Sequence, residues 1–141
     1  MKNAIIKIKG TQHLGGEKDV TELMTTGTFR QDGNSFLLTY EEGQDEQQGA
    51  CITALTVTGQ ESVVMEKKGE ISSKLIIGKG VRNNCFYNIP QCSLVLGIYG
   101  KSINNRLGNN GGTLNMEYAI DSNLQPVSTN EIEISVKITE G

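Results

Sequence analysis

The chain has 141 residues, a length typical of one domain, so we expect a single domain over residues 1–141. Its net charge of −3, with no lysine or arginine run longer than Lys67-Lys68, leaves no basic surface for phosphates, and nucleic acid is not an expected partner. Glycine occupies 17 positions and proline two, which favours many tight turns over disorder.

The first apolar stretch is short. Ala4, Ile5 and Ile6 are followed at once by Lys7. Because signal peptides and transmembrane helices need much longer apolar segments, we expect a cytoplasmic protein that does not associate with a membrane.

Segments with turn residues at both ends follow one another along the whole chain, and none has the periodicity of a long helix. The alternation of apolar and polar residues is clearest near the end, where Leu114, Met116, Tyr118 and Ile120 share one face of a segment. The predicted strands are 2–10, 19–31, 35–42, 50–58, 61–68, 71–78, 84–88, 93–103, 113–121 and 131–139.

The connections between these segments are short, which is typical of an antiparallel meander. An open sheet of ten strands would leave two edges and one large uncovered face, and no amphipathic helix is available to cover it. The sequence therefore predicts an all-β fold, a single antiparallel meander β-barrel of about 8–10 strands with a mostly aliphatic interior.

Successive connections of a meander lie at alternate ends of the barrel. Connections 11–18, 43–49, 89–92 and 122–130 fall at one end, and three of them are long. Connection 104–112 is also long but falls at the other end. We therefore expect the looser mouth at the end of the odd-numbered connections.

Four segments, in this order and spacing, resemble the YwiB-like family of small bacterial proteins. They are 22–29 (ELMTTGTF), 36–42 (FLLTYEE), 85–94 (CFYNIPQCSL) and 111–118 (GGTLNMEY). The resemblance covers about residues 2–139. It implies a lipocalin-like (calycin) barrel in a cytoplasmic bacterial protein of unknown function. The chain departs from the family pattern at Ile89, where the family has threonine, and at Cys92, where it has glycine.

Tyr40, Glu42, Tyr87 and Tyr118 are the candidate ligand-binding residues. Tyr40, Glu42 and Tyr118 alternate with outward positions and lie near the odd-numbered connections, so we expect them at one rim of the barrel. The direction of Tyr87, just before Pro90, is left open. Core packing of the tyrosines and solvation of Glu42 remain the alternatives.

Catalytic and metal-binding residue patterns are missing from the sequence. His13 is the single histidine and lies in a glycine-flanked segment, and Glu41 and Glu42, as neighbours on one strand, point to opposite faces. Cysteines occur at three positions, Cys51, Cys85 and Cys92, and they form no close C-x-x-C pair. We therefore expect three free thiols. We therefore predict neither an enzyme, nor a cofactor, nor a metal site.

Two functions are compatible with this pattern. The first is the binding of a small, mostly apolar ligand in the barrel or at its mouth. The second is a non-catalytic interaction or homodimerisation module that uses apolar residues on the outer faces of the strands, above all Val95 and Tyr99.

Overall fold

The computed structural model describes residues 2–42, 51–69, 72–89 and 92–139. Within these ranges no helix is long and apolar enough to cross a bilayer. The chain forms ten β-strands: β1 (Lys2–Leu14), β2 (Glu17–Asp32), β3 (Ser35–Glu42), β4 (Cys51–Thr58), β5 (Ser62–Lys68), β6 (Ser72–Gly78), β7 (Arg82–Ile89), β8 (Cys92–Gly108), β9 (Gly111–Ser122) and β10 (Gln125–Ile138).

Each strand pairs with the next in antiparallel fashion, and β10 pairs with β1, from Ala4 opposite Ile138 to His13 opposite Thr129. The ten strands therefore form one closed barrel in meander order, as the alternating sequence pattern predicted. Closure removes both sheet edges, which is why the chain needs no covering helix.

The connections after β1, β3, β5, β7 and β9 lie at one end of the barrel, which we call the odd-turn end, and the others lie at the even-turn end. Three predicted long connections are wrong. Segments 11–18, 104–112 and 122–130 are mostly strand, and the unpaired turns shrink to residues 15–16, 109–110 and 123–124. Positive φ angles at Gly15, Gly16, Asn123 and Leu124 allow two of these tight hairpin turns. Connection 43–50 lies outside the described residues.

The barrel interior is filled by apolar side chains toward the even-turn end. Directly paired inward residues form two apolar rows across β3 to β6, and all of their members are buried. The rows are Phe36, Val57, Val63 and Ile77, and, one level nearer the odd-turn end, Leu38, Leu55, Met65 and Leu75. Leu94, at an inward position near the start of β8, differs from them, since 42% of it is exposed.

The wall has a seam between β6 and β7, where the ladder has three described residue pairs around Ser73 and Tyr87. Beyond them, side chains replace the backbone partners. The Ile76 N–H donates to Cys85 Sγ at 3.2 Å, and Asn83 Nδ2 donates to the Ile76 carbonyl at 3.3 Å. Cys85 is buried and free, whereas the side chains of Cys51 and Cys92 lie outside the described part.

An ion pair on the outer wall links β7 to β9 across β8. Arg82 of β7 reaches across Gly97 of β8 and donates from Nε and Nη2 to Asp121 of β9, at 2.9 and 2.6 Å. A side chain at Gly97 would occupy the space of this pair. Hydrogen bonds from Arg82 lower the pKa of Asp121 below its usual value.

The even-turn end is bridged by the turn between β4 and β5. Gln60 Nε2 donates to the Asn105 carbonyl, and the Asn105 N–H donates back to Gln60 Oε1, both at 2.7 Å. Asn105 Nδ2 also donates to the Gly59 carbonyl at 3.0 Å. The Gln60 carboxamide thus pairs with β8 as a backbone amide would, and it connects the β4–β5 turn to β8 across this end of the barrel.

Gly27 permits the closest approach between β2 and β3. A methyl group there would overlap the Thr39 carbonyl oxygen and lie 2.9 Å from Ile6 Cδ1. We expect Gly27→Ala to lower the free energy of unfolding by about 2 kcal/mol or more, because backbone must move to admit it. Urea unfolding measures this change. Gly108→Ala is the matched control, since its nearest neighbour would be 4.0 Å away. Equal free energies of unfolding for the two variants would contradict the steric role of Gly27.

Candidate binding site in the odd-turn half of the barrel

A row of inward-facing residues with polar groups crosses five neighbouring strands in the odd-turn half of the barrel. Each member is directly opposite the next in the strand register, so the row is continuous from β3 to β7. This polar row consists of Tyr40, Thr53, Lys67, Ser73 and Tyr87. It lies one level above the aliphatic row that contains Leu55 and Met65, so the interior changes from apolar to polar toward the odd-turn end.

A cavity of about 310 Å³ lies against this row. Tyr40 and Lys67 line it on the side of β3 and β5, next to Met65. The other described lining residues come from β1, β2 and β10, and they are Ile8, Gly10, Thr21, Glu22, Leu23, Ile132 and Ile134. The cavity therefore has polar groups on one wall and mainly aliphatic side chains on the other.

The charged residues around the cavity differ in exposure. Lys67 is half-buried, whereas Glu22 lies at an exposed position. An adjoining cleft of about 220 Å³ shares Gly10, Thr21 and Ile132 with the cavity, and exposed Asp19 and Glu131 line it. Solvent screens the exposed carboxylates, so among these described residues Lys67 has a greater electrostatic effect inside the barrel than Glu22, Asp19 and Glu131.

Two hydroxyl groups of the polar row are buried on either side of Lys67. Thr53 is fully buried, and Ser73 is 6% exposed. Ser73 Oγ has no hydrogen-bond partner among the described residues. Buried hydroxyls nearly always have a partner, so Ser73 marks a point where the interior has unused hydrogen-bonding capacity.

Two larger depressions lie on the outside of the barrel. One, of about 510 Å³, lies over the outward positions Lys7, Lys9, Met24 and Glu133, and the other, of about 430 Å³, lies at the even-turn end beside Lys2, Arg30 and Asn109. Their charged side chains are exposed to solvent, so a ligand there would lie on the outer surface and not in the barrel interior.

Comparison with known proteins agrees with the fold. The model of a domain of unknown function, DUF1934, matches residues 6–134. The chain belongs to the DUF1934 family. The crystal structure of the ywiB protein from Bacillus subtilis is similar to it, with a TM-score of 0.87 and 20% sequence identity over 99% of this chain and 93% of that one. Among curated proteins the search finds no significant match. The resemblance to the YwiB-like family is confirmed, and the family supplies a fold without an activity.

The structure places three of the four predicted site residues on the inner wall of this DUF1934 barrel. Tyr40 and Tyr87 occupy the two ends of the polar row, and Tyr40 also lines the cavity. Tyr118 is buried opposite Asn130 and Gly100, in the odd-turn half of β9. Glu42 ends β3 opposite Cys51, and its side chain lies outside the described part.

The residues at the centre of the row, Thr53, Lys67 and Ser73, were not predicted from the sequence. A signal was present, since Lys67 alternates with Val63 and Met65, which are both buried. A lysine at the end of a strand is usually solvated. The place of Lys67 in the alternation of inward and outward residues therefore did not distinguish an inward side chain from a surface charge.

The other residues considered for chemistry lie apart from the cavity. His13 is exposed near the end of β1, opposite Lys18 and Thr129. Glu41 is exposed on the outward face of β3, opposite Ile52. Within the described ranges no group of three or more histidine, cysteine, aspartate or glutamate side chains is placed to hold a metal ion.

Burial raises the pKa of Tyr118 to about 12 from an ordinary value of 10.0. Between these pH values the folded state keeps a proton that the unfolded state has lost. The contribution of Tyr118 to the free energy of unfolding is therefore fully present below pH 10 and decreases as the pH rises toward 12.

We expect the Tyr118 hydroxyl to account for a loss of about 1 kcal/mol in the free energy of unfolding by pH 11. The measurement is urea unfolding of the natural protein and of Tyr118→Phe at pH 9 and at pH 11. The variant has no hydroxyl at this position, so its free energy of unfolding should fall by about 1 kcal/mol less between the two pH values. Tyr99→Phe, at an exposed tyrosine, is the control. The prediction fails if the natural protein and Tyr118→Phe lose stability equally.

Proposed function

We propose that this domain binds one small amphipathic molecule, without catalysis, in the odd-turn half of the barrel. The observation that carries the proposal is the interior cavity, which has Tyr40 and Lys67 on one wall and Ile8, Ile132 and Ile134 on the other. Its volume of about 310 Å³ is at the lower end of the range for small-molecule sites, which suits a short chain or a single ring.

The polar row refines the ligand that the sequence suggested. A mostly apolar guest would place hydrocarbon against Tyr40 and the charged end of Lys67 and displace water from them, which costs free energy. A molecule with a polar group at one end matches both walls. A cytoplasmic location remains the expectation from the sequence.

A bulky side chain at the mouth tests this site. Thr21 faces inward from an exposed position and lines both the cavity and the adjoining cleft. With sodium octanoate as the probe, we expect Thr21→Trp to weaken binding at least about tenfold, the effect of losing about 1.4 kcal/mol of contact. The measurement is a titration followed by amide chemical shifts in NMR spectra.

Met24→Trp is the matched control on the same strand. Met24 is 67% exposed and lines the outer depression. Met24→Trp should bind octanoate within about twofold of the natural protein, since a factor of two is only a few tenths of a kcal/mol. If Met24→Trp blocks the probe and Thr21→Trp does not, the site lies on the outer wall and the proposal is wrong.

A second function rests on an outer apolar patch. Phe86 and Val95 are directly opposite each other on β7 and β8 and are 62% and 53% exposed, and Tyr99 on β8 is 42% exposed. Such side chains are more typical of an interface than of a free surface when they adjoin. We propose this patch as the surface for homodimerisation.

Sedimentation velocity over a range of protein concentrations tests the patch. We expect a dimer that dissociates on dilution, and Val95→Lys should weaken it at least about tenfold because a buried, unpaired charge at an interface costs more than 1.4 kcal/mol. Thr113→Lys, at an outward and exposed position of β9, is the control. A monomer at every concentration would contradict the dimer.

A further inference from the structure

Among the described residues that line the cavity, Lys67 is the charged residue that faces inward. It lies inward between Thr53 and Ser73 in the register, and of the two charged residues in the described lining it is the less exposed. A half-buried ammonium is screened less than the exposed carboxylates of Glu22 and Asp19, so it favours a negative group deeper in the barrel.

Ser73 supplies a second hydrogen-bonding group beside it. Lys67 and Ser73 are direct cross-strand neighbours on the inner face, where β-carbons are about 4.5–5.5 Å apart. Ser73 Oγ is buried behind the cavity lining and has no partner among the described residues, so its hydroxyl can donate to an acceptor atom that enters the polar row beside Lys67. One acceptor atom or one pair of acceptor atoms can accept a hydrogen bond from both groups.

We propose that Lys67 and Ser73 bind the oxyanion head group, a carboxylate or a phosphate, of a small amphipathic ligand. This inference rests on the binding function proposed above. The apolar part of the ligand lies against Ile8, Ile132 and Ile134. An ammonium carries three hydrogens, so Lys67 can donate to the ligand while it keeps a contact within the protein.

Four probes with the same alkyl chain and different head groups test the assignment: octanoate, octyl phosphate, 1-octanol and octylamine. We expect at least one of the two anions to bind about 10- to 100-fold more tightly than 1-octanol, as a charge-assisted hydrogen bond would give, and octylamine to bind more weakly than 1-octanol. The stronger anion identifies the head group as carboxylate or phosphate. Dissociation constants come from NMR titrations of the natural protein and of Thr21→Trp.

The outcomes separate the two proposals. If octanoate, octyl phosphate and 1-octanol bind equally and Thr21→Trp weakens all three, the cavity is a binding site but the head-group assignment is wrong. Preference for octylamine also overturns the assignment. If none of the four probes binds, both proposals are overturned.

Variants of the two residues locate the head group. Lys67→Met should remove the preference for the anion, a loss of about 10- to 100-fold, and leave 1-octanol binding within about twofold. Ser73→Ala should weaken anion binding about 2- to 10-fold. Lys68→Met is the matched control, because Lys68 is the next residue on β5, points outward and pairs with Glu66 at 3.5 Å.

Amide spectra and urea midpoints establish that each variant is folded. Lys67→Gln, which keeps a polar side chain, is the second variant if Lys67→Met does not fold. If a folded Lys67 variant loses affinity for octanoate and 1-octanol equally, Lys67 shapes the opening of the cavity by packing. That result would overturn its role in binding an anion. Unchanged binding in Ser73→Ala would remove Ser73 from the site.

Discussion

The closed register of ten antiparallel strands is the constraint on which the rest of the structure depends. A slip of one residue between two strands turns every side chain of one strand to the other face. In a ring, such a slip must be matched elsewhere, because β1 also pairs with β10. The register therefore fixes the inward direction of Leu38 and Leu55 and, with the same certainty, that of Tyr40, Thr53 and Lys67 on the same strands.

The alternation of residues was enough to predict the ten strands, their order around the barrel and the inward positions of Tyr40 and Tyr118. It failed at the polar hairpins, because residues such as Gln12 and Lys18 are exposed on strands that extend beyond the packed interior, and exposed strand residues have the composition of loops. The tight approach at Gly27 was also beyond the sequence, since it depends on the position of Thr39 in the neighbouring strand.

The candidate site was predictable only in part, for a related physical reason. Tyr40, on an apolar strand face, was recognisable as inward, whereas the direction of Tyr87, at the other end of the polar row, was left open. Lysine and serine have no such preference, and only the register shows that Lys67 and Ser73 lie opposite each other. The outward face of the same strands, with Lys68 and Glu66 in an exposed ion pair, has a similar composition.

The two ends of the barrel explain how a polar interior row coexists with a stable fold. The even-turn half has rows of Phe36, Val57, Val63 and Ile77, and the Gln60–Asn105 hydrogen bonds close it. Apolar burial there provides the favourable free energy of folding. Thr53 and Ser73 contribute less than aliphatic residues would, because a buried hydroxyl must give up its bonds to water. These two residues weaken the core and lie beside Lys67, which lines the cavity, so the proposed ligand explains them better than the fold does.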